Sequence, residues 1–293
     1  MNEVTLFLNY IKNIKNYSDY TVLNYSKDLS VFIDFLDNKN INWNQINYQK
    51  IRGFLLFLDT KKYSNKTIAR HISTLRSFFK YLLKENIVIE NPVVLISNPK
   101  KEKKLPTFLY YNEIDEIINF SNEQSPKTIR DLLLLEMLYS TGIRVSELVN
   151  IKLSDISLNQ IKVLGKGNIE RLVYFGKPCK DKLDNYLDNS RNNLLKNKKS
   201  EYLYINHLGN KLTDRGVRSI IDEIILKSSL NQKISPHTLR HTFATHMLNE
   251  GADLKTVQEL LGHKNISTTG IYTHISNEQL RNVYLKNHPR ARK

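Results

Sequence analysis

The sequence predicts a mostly helical protein of two domains, the second carrying a small antiparallel β-sheet. Apolar residues recur at three- and four-residue steps through the first third and again through much of the second half, the period of amphipathic helices. A basic, apolar-poor run bracketed by Pro99 and Pro106 interrupts them. From Ile151 to Tyr174 the texture becomes strand-like around a glycine-rich hairpin turn.

The elements follow in chain order. Val22, Tyr25, Leu29, Phe32, Ile33 and Leu36 form one apolar stripe behind a possible N-cap at Ser18. Ile51, Phe54, Leu55 and Leu58 repeat it, as do Ile68, Ile72, Leu75, Phe78, Phe79, Leu82 and Leu83. On that last helix Lys66, Arg70, Arg76 and Lys80 lie off the stripe, either as phosphate contacts or as an ordinary solvated face. The run from Asn98 to Pro106 is a linker: its prolines break helices and its lysines repel one another. The division is therefore 1–98, a basic linker at 99–106, and 107–293.

In the second domain Ile114, Ile117 and Ile118 begin a helical region, and the apolar helix through Leu132 to Tyr139 stops at Thr141-Gly142. Glycine there can take the left-handed conformation that ends helices. Ile161 and Val163, then Leu172 and Tyr174, flank the hairpin turn Gly165-Lys166-Gly167-Asn168, and the remainder returns to helix through Val283.

The balance of charge narrows the partners. Lys and Arg number 44 against 29 Asp and Glu, a formal net charge of +15. Such a surplus favours a polyanion, although a Lys- and Asn-rich proteome would produce it too. A hydrophobic share of 40% supports ordinary cores. The single cysteine, Cys179, excludes an intramolecular disulfide and a multi-thiolate zinc site. The run Val4 to Leu8 lacks the basic flank of a signal peptide, and the longest apolar stretch is broken by Glu136. A cytoplasmic protein is expected.

Several short segments could carry chemistry. Ser235-Pro236 is a strong helix start that places His237 in the first turn and Arg240 three residues on, at the helix end that favours anions. The pair is either a phosphate clamp or a capped helix with incidental side chains. Arg144 follows the Gly142 break, with Glu147 one turn away to orient it; a surface ion pair is the alternative. Lys166 at the hairpin tip is either a solvated turn residue or a mobile proton donor. Leu260-Leu261-Gly262 reads as a helix end, with His263 just beyond it, and Ser267 or Thr268 can cap a further short helix before Tyr272. His241, His246 and His274 read as structural or surface residues. No two-metal acidic cluster and no Walker loop is present, so phosphoryl chemistry here would need fixed cations to neutralise developing charge, and two arginines with histidines supply them.

Taken in order, these segments resemble the tyrosine recombinase (phage integrase) family, Xer type. The likeness rests on Thr141 to Leu148, Gly165 to Asn168, His237 to His241, Leu261-Gly262-His263 and Ser267 to His274. It extends to the N-terminal helices, the linker and the closing Asn287-His288-Pro289-Arg290-Ala291. The resemblance implies an N-terminal SAM-like core DNA-binding bundle and a catalytic domain with a C-terminal protomer-exchange tail, in which Leu280, Val283 and Tyr284 pack into a neighbour. It also implies roles. Arg144 and Arg240 would hold the non-bridging oxygens of a scissile phosphate, and His237 and His263 would assist them and the proton transfers. Lys166 would protonate the departing 5′ oxygen while Tyr272 attacks phosphorus to give a 3′-phosphotyrosine, without metal, ATP or other cofactor. The family commonly has glutamine where this chain has Gly270, which puts the positioning of Tyr272 for attack in question.

The implied partners are double-stranded DNA with a specific recombination site, a homo- or hetero-tetramer on two sites, a paralogous recombinase, and an FtsK-like DNA translocase as regulator. Resolution of chromosome or plasmid dimers at a dif-like site leads. An integrase of a phage or mobile element comes next, then a type IB topoisomerase, and last a catalytically silent DNA-binding protein.

Overall fold

The computed structural model describes residues 2–99, 107–165, 169–230, 232–262 and 276–291. Contacts divide the chain into two compact units, 1–104 and 105–293, each with its own core.

The first unit is a helical bundle. Helix α1 (Asn2–Asn9) runs into a π-turn (Tyr10–Ile14) and is followed by α2 (Asp19–Asp37), α3 (Tyr48–Thr60) and α4 (Asn65–Lys84). Ser18 and Ser64 start α2 and α4 in the same way: each hydroxyl accepts the backbone N–H three residues on, at 3.3 and 3.2 Å. The stripes converge on an aromatic core in which Phe32 meets Phe54 edge-on at 4.9 Å between ring centres. Of the apolar positions read from the sequence, Leu29, Phe32, Leu36, Ile51, Phe54, Leu58, Ile72 and Phe79 are buried. Leu83 is exposed, because the stripe of α4 turns away after Leu82.

Inside this core lies a polar knot. Asp28 is buried and receives Arg70 Nη1 at 2.7 Å, Thr74 Oγ1 at 2.8 Å and His71 Nε2 at 3.3 Å. Burial, opposed by the Asp28 charge, holds the His71 ring below its ordinary pKa. Arg76 is likewise tied inward, donating from Nη2 to the Ile96 carbonyl at 2.9 Å.

The second unit opens with α5 (Tyr111–Ile118) and α6 (Pro126–Thr141). Helix α6 is apolar enough to be surrounded, and even its Glu136 is wholly buried, within 3.5 Å of Arg290 Nε and 3.7 Å of Lys182. A short α7 (Val145–Leu148) leads to β1 (Ile156–Ser157), β2 (Gln160–Leu164) and β3 (Glu170–Tyr174), an antiparallel sheet in that order. In its register Ile161 faces Val173 and Val163 faces Arg171. Val173 enters the main core, while Leu172 and Tyr174 on the opposite face join a second cluster, so β3 is covered on both sides.

Helices α8 (Lys177–Asn189), α9 (Arg191–Leu195), α10 (Asp214–Lys227), α11 (Pro236–Asn249), α12 (Leu254–Leu261) and α13 (Asn277–Asn287) complete the unit. On α13 Tyr284 is buried beside Phe243, Met247 and Leu260, while Leu280 and Val283 are half-buried against the same cluster. The segment after it continues inward, with His288 buried and Arg290 paired to Asp115 at 2.8 Å.

Candidate active site

The site forms where three chain breaks meet: the end of α6, the start of α11 and the end of α12. Helix α6 stops at Gly142, which takes φ 60° and returns its N–H to the Leu138 carbonyl. That reversal puts Arg144 at the extended N-cap of α7, where its own backbone N–H donates to Glu147 Oε2 at 2.8 Å. Helix α11 starts as read from the sequence, with Ser235 accepting the Thr238 N–H at 3.2 Å and Pro236 in the first turn. One turn later Arg240 is buried, while His237 in the first turn is exposed.

Helix α12 ends at Gly262, φ 67°, which leaves carbonyls at its C-terminus without helical partners. Three guanidinium groups take up successive ones. Arg171 Nε donates to Leu260 O at 3.2 Å, Arg240 Nη2 to Leu261 O at 2.7 Å, and Arg144 Nη2 to Gly262 O at 3.1 Å. The partial negative charge of a helix C-terminus favours cations there. Arg240 Nη1 also donates to the Gly142 carbonyl at 2.5 Å, so its fork joins the ends of α6 and α12.

The electrostatics are set by one carboxylate among these cations. Glu147 is almost fully buried and accepts Arg144 Nη1 at 2.8 Å and both terminal nitrogens of Arg171 at 2.8 and 2.9 Å. Burial alone would raise its pKa. The bonds and charge of Arg171, with the bonds from Arg144, outweigh burial and hold the carboxyl below its usual range. Arg240 is pushed down to about 10, by burial first and then by the Arg144 charge, and so remains a cation at neutral pH. These bonds engage two of the five N–H groups of Arg144 and two of those of Arg240. Among the described residues both groups keep donor capacity for an anion, and Arg144 is about one-third exposed.

The structure therefore brings Arg144 and Arg240 together and sets His237 on the helix that carries Arg240. Lys166, His263 and Tyr272 lie outside the described residues, as do Gly270 and the expected cap at Ser267 or Thr268. Of the residues read as DNA contacts, Lys66 and Lys80 are exposed, whereas Arg70 and Arg76 are engaged within the bundle. Arg171 was missed by the sequence reading. It alternates with Val173 and Phe175, but Leu172 and Tyr174 make an equally apolar alternation, so the sequence alone does not mark Arg171 as an inward residue in need of a buried partner.

A cluster of arginines on a mainly helical domain, preceded in the chain by a separate helical bundle, defines a class of protein equipped to hold a phosphate-like anion. The chain belongs to the phage integrase family, and within it to the Xer-type tyrosine recombinases, enzymes that cut and rejoin DNA at specific sites. Residues 107–279 match the model of the phage integrase family, and residues 4–86 match its N-terminal SAM-like domain. The chain is 46% identical over 289 residues to tyrosine recombinase XerC of Staphylococcus epidermidis, covering 98% of this chain and 97% of that one. It is 46% identical over 293 residues to XerC of Anoxybacillus flavithermus, with 98% of each covered. Among solved structures it is similar to the XerH site-specific recombinase bound to its difH substrate before cleavage, with a TM-score of 0.68 and 26% identity over 96% of this chain and 83% of that one.

Proposed function

We propose that this recombinase resolves chromosome or plasmid dimers at a short dif-like site, through a 3′-phosphotyrosine on Tyr272. The observation that carries the chemistry is the convergence of Arg144 and Arg240 on the successive carbonyls of Gly262 and Leu261. That turn leads directly into His263. A phosphate seated there meets two guanidiniums that are already ordered, so little reorganisation is needed as charge builds on its non-bridging oxygens.

The steps balance as a transesterification. Tyr272 Oη attacks phosphorus and loses its proton, with His237 and His263 assisting the transfer. The bond from phosphorus to the 5′ oxygen breaks, and Lys166 supplies the proton that this oxygen takes. One phosphodiester is exchanged for another, so the reverse step, with a 5′ hydroxyl of the partner strand as nucleophile, needs no ATP. An ordinary tyrosine has a pKa near 10, so attack near neutral pH needs nearby positive charge and base assistance.

The biological assignment rests on the similarity to XerC proteins over almost the whole length of both chains. In this reading the protein works in the cytoplasm, as a homo- or hetero-tetramer on two DNA sites, with a paralogous recombinase as partner and an FtsK-like translocase as regulator. Residues 1–98 bind the core of the site, 99–106 are a basic linker, and 107–293 carry the chemistry. Incubation with a nicked suicide substrate tests it: the wild type should trap a covalent DNA adduct that Tyr272→Phe abolishes. An adduct that persists in Tyr272→Phe would overturn the mechanism. Equal activity on DNA without a dif-like site would favour a topoisomerase instead.

A further inference from the structure

We propose that Arg171 is a positioning residue for cleavage: it occupies Glu147 with its full fork and thereby keeps Arg144 available to the scissile phosphate. The inference rests on the assignment of Arg144 to that phosphate.

Arg171 stands opposite Val163, on the sheet face that carries Val173 into the core, and its side chain is only 13% exposed. A guanidinium in that position must be paired. It finds Glu147 with both terminal nitrogens, in the planar forked geometry that suits arginine and carboxylate. Its Nε reaches the Leu260 carbonyl beside it. The close approach depends on Gly262, where a Cβ would lie 3.0 Å from Arg171 Cδ and Nε.

The geometry around Glu147 shows why this matters for Arg144. A carboxylate offers about four acceptor positions. Arg171 takes one on each oxygen, the Arg144 backbone N–H takes one on Oε2, and Arg144 Nη1 takes one on Oε1. Arg144 is thus held through a single terminal nitrogen, with Nη2 on Gly262 O. Removal of Arg171 frees an edge of the carboxylate, and among the described residues Arg144, already bonded to Oε1, is the cation in place to fill it. A forked Glu147–Arg144 pair would draw that guanidinium toward the protein and neutralise the charge that the phosphate needs. Arg171 also joins β3, the strand after the Lys166 turn, to the end of α12, the segment before His263.

Two variants and two substrates test this in the full-length protein. Single-turnover cleavage of a nicked suicide substrate is measured for Arg171→Ala and Arg171→Lys, with binding to the same DNA measured in parallel. The rates are normalised to the folded fraction. Arg171→Ala should cleave about 10- to 100-fold more slowly, by analogy with the loss of a group that orients a metal ligand, with binding close to wild type. Arg171→Lys, which keeps the charge and loses the fork, should fall between. The deciding readout is a substrate whose scissile phosphate is a methylphosphonate, in which a methyl group replaces a charged non-bridging oxygen. If Arg171 acts through the grip of Arg144 on that charge, its loss should cost several-fold less on the neutral substrate. A structural role alone would slow both substrates by the same factor, and that result, or no slowing at all, overturns the proposal. Should Arg171→Ala fail to fold, the same comparison with Arg171→Lys decides. A wild type that forms no Tyr272 adduct removes the functional reading and this inference together, whereas a wild-type adduct with unimpaired Arg171 variants removes only the latter.

Discussion

Arg240 donates from Nη1 to the carbonyl of Gly142, a residue held at φ 60°, so the position of one active-site guanidinium depends on a left-handed backbone that ends a neighbouring helix. Gly142 also lacks space for a side chain: a Cβ there would sit 2.6 Å from Phe243 Cδ1 and 2.8 Å from Leu261 Cδ2. Both atoms belong to residues packed around the same turn.

Gly142→Ala should therefore destabilise the protein by roughly 2–4 kcal/mol, combining left-handed strain with overpacking. Denaturant unfolding measures it. The cleavage rate per folded molecule should fall as well, because the carbonyl that Arg240 holds must move. A variant as stable and as active as the wild type would show that the turn does not control Arg240.

The basic residues of α4 should separate into two kinds. Lys66 and Lys80 are exposed, and each alanine variant should reduce the slope of log affinity against log salt by about 0.9 if its ammonium contacts a phosphate. Arg70 and Arg76 are bonded to Asp28 and Ile96. Arg76→Ala should instead cost about 1–3 kcal/mol of stability, the scale for losing a charged hydrogen bond. An equal change of salt slope in all the variants would refute this division.

Much of this was legible beforehand where a local rule acts alone. Ser18, Ser235-Pro236, Gly142 and Gly262 cap helices because hydroxyl acceptors, a preset proline φ and a missing Cβ act within a few residues. Arg171 was not legible as a partner of Glu147 because Leu172 and Tyr174 supply a competing apolar alternation. Both faces of β3 are buried, so periodicity could not show which residues point toward the site. Nor could the sequence show that Tyr284 is buried against Phe243 and Met247, since an apolar stripe does not state what covers it. The inward ties of Arg70 and Arg76 escaped for a similar reason: their partners, Asp28 and Ile96, lie 42 and 20 residues away.

Arg240→Lys should lower cleavage about 100-fold or more while leaving DNA binding nearly intact. A lysine has a compact ammonium and cannot span the Gly142 and Leu261 carbonyls as the planar fork does. Single-turnover rates and binding affinities measured together test this. A rate within a few-fold of wild type would mean that charge alone, without the fork, satisfies the site.

The second unit should lose stability in mildly acidic solution through His288. Its ring stacks at 5.1 Å on Tyr284 and 5.2 Å on Phe243, tilts against Tyr139, and accepts the Arg290 N–H on Nδ1 at 3.1 Å. Burial, then the neighbouring His246 and Arg290 charges, push its pKa down to about 3, against the opposing pull of the Tyr139 backbone carbonyl, which favours a ring N–H. His246, bonded to Tyr139 Oη at 2.9 Å, is lowered by burial too. The unfolded chain, with ordinary histidines near pKa 6.5, binds more protons below that pH than the folded protein does. The stability due to neutral His288 is therefore fully present above about pH 6.5 and declines as pH falls toward 3, by about 1.4 kcal/mol per unit. Measured between pH 7 and 5, above the range in which most carboxylates protonate, wild-type stability should drop by roughly 2 kcal/mol on account of this residue. His288→Phe keeps an aromatic ring in the stack and removes the titrating group. Its stability should start lower, for want of the Arg290 acceptor, but vary less with pH, so that the two curves converge on acidification. Parallel curves would show that His288 does not carry the acid sensitivity.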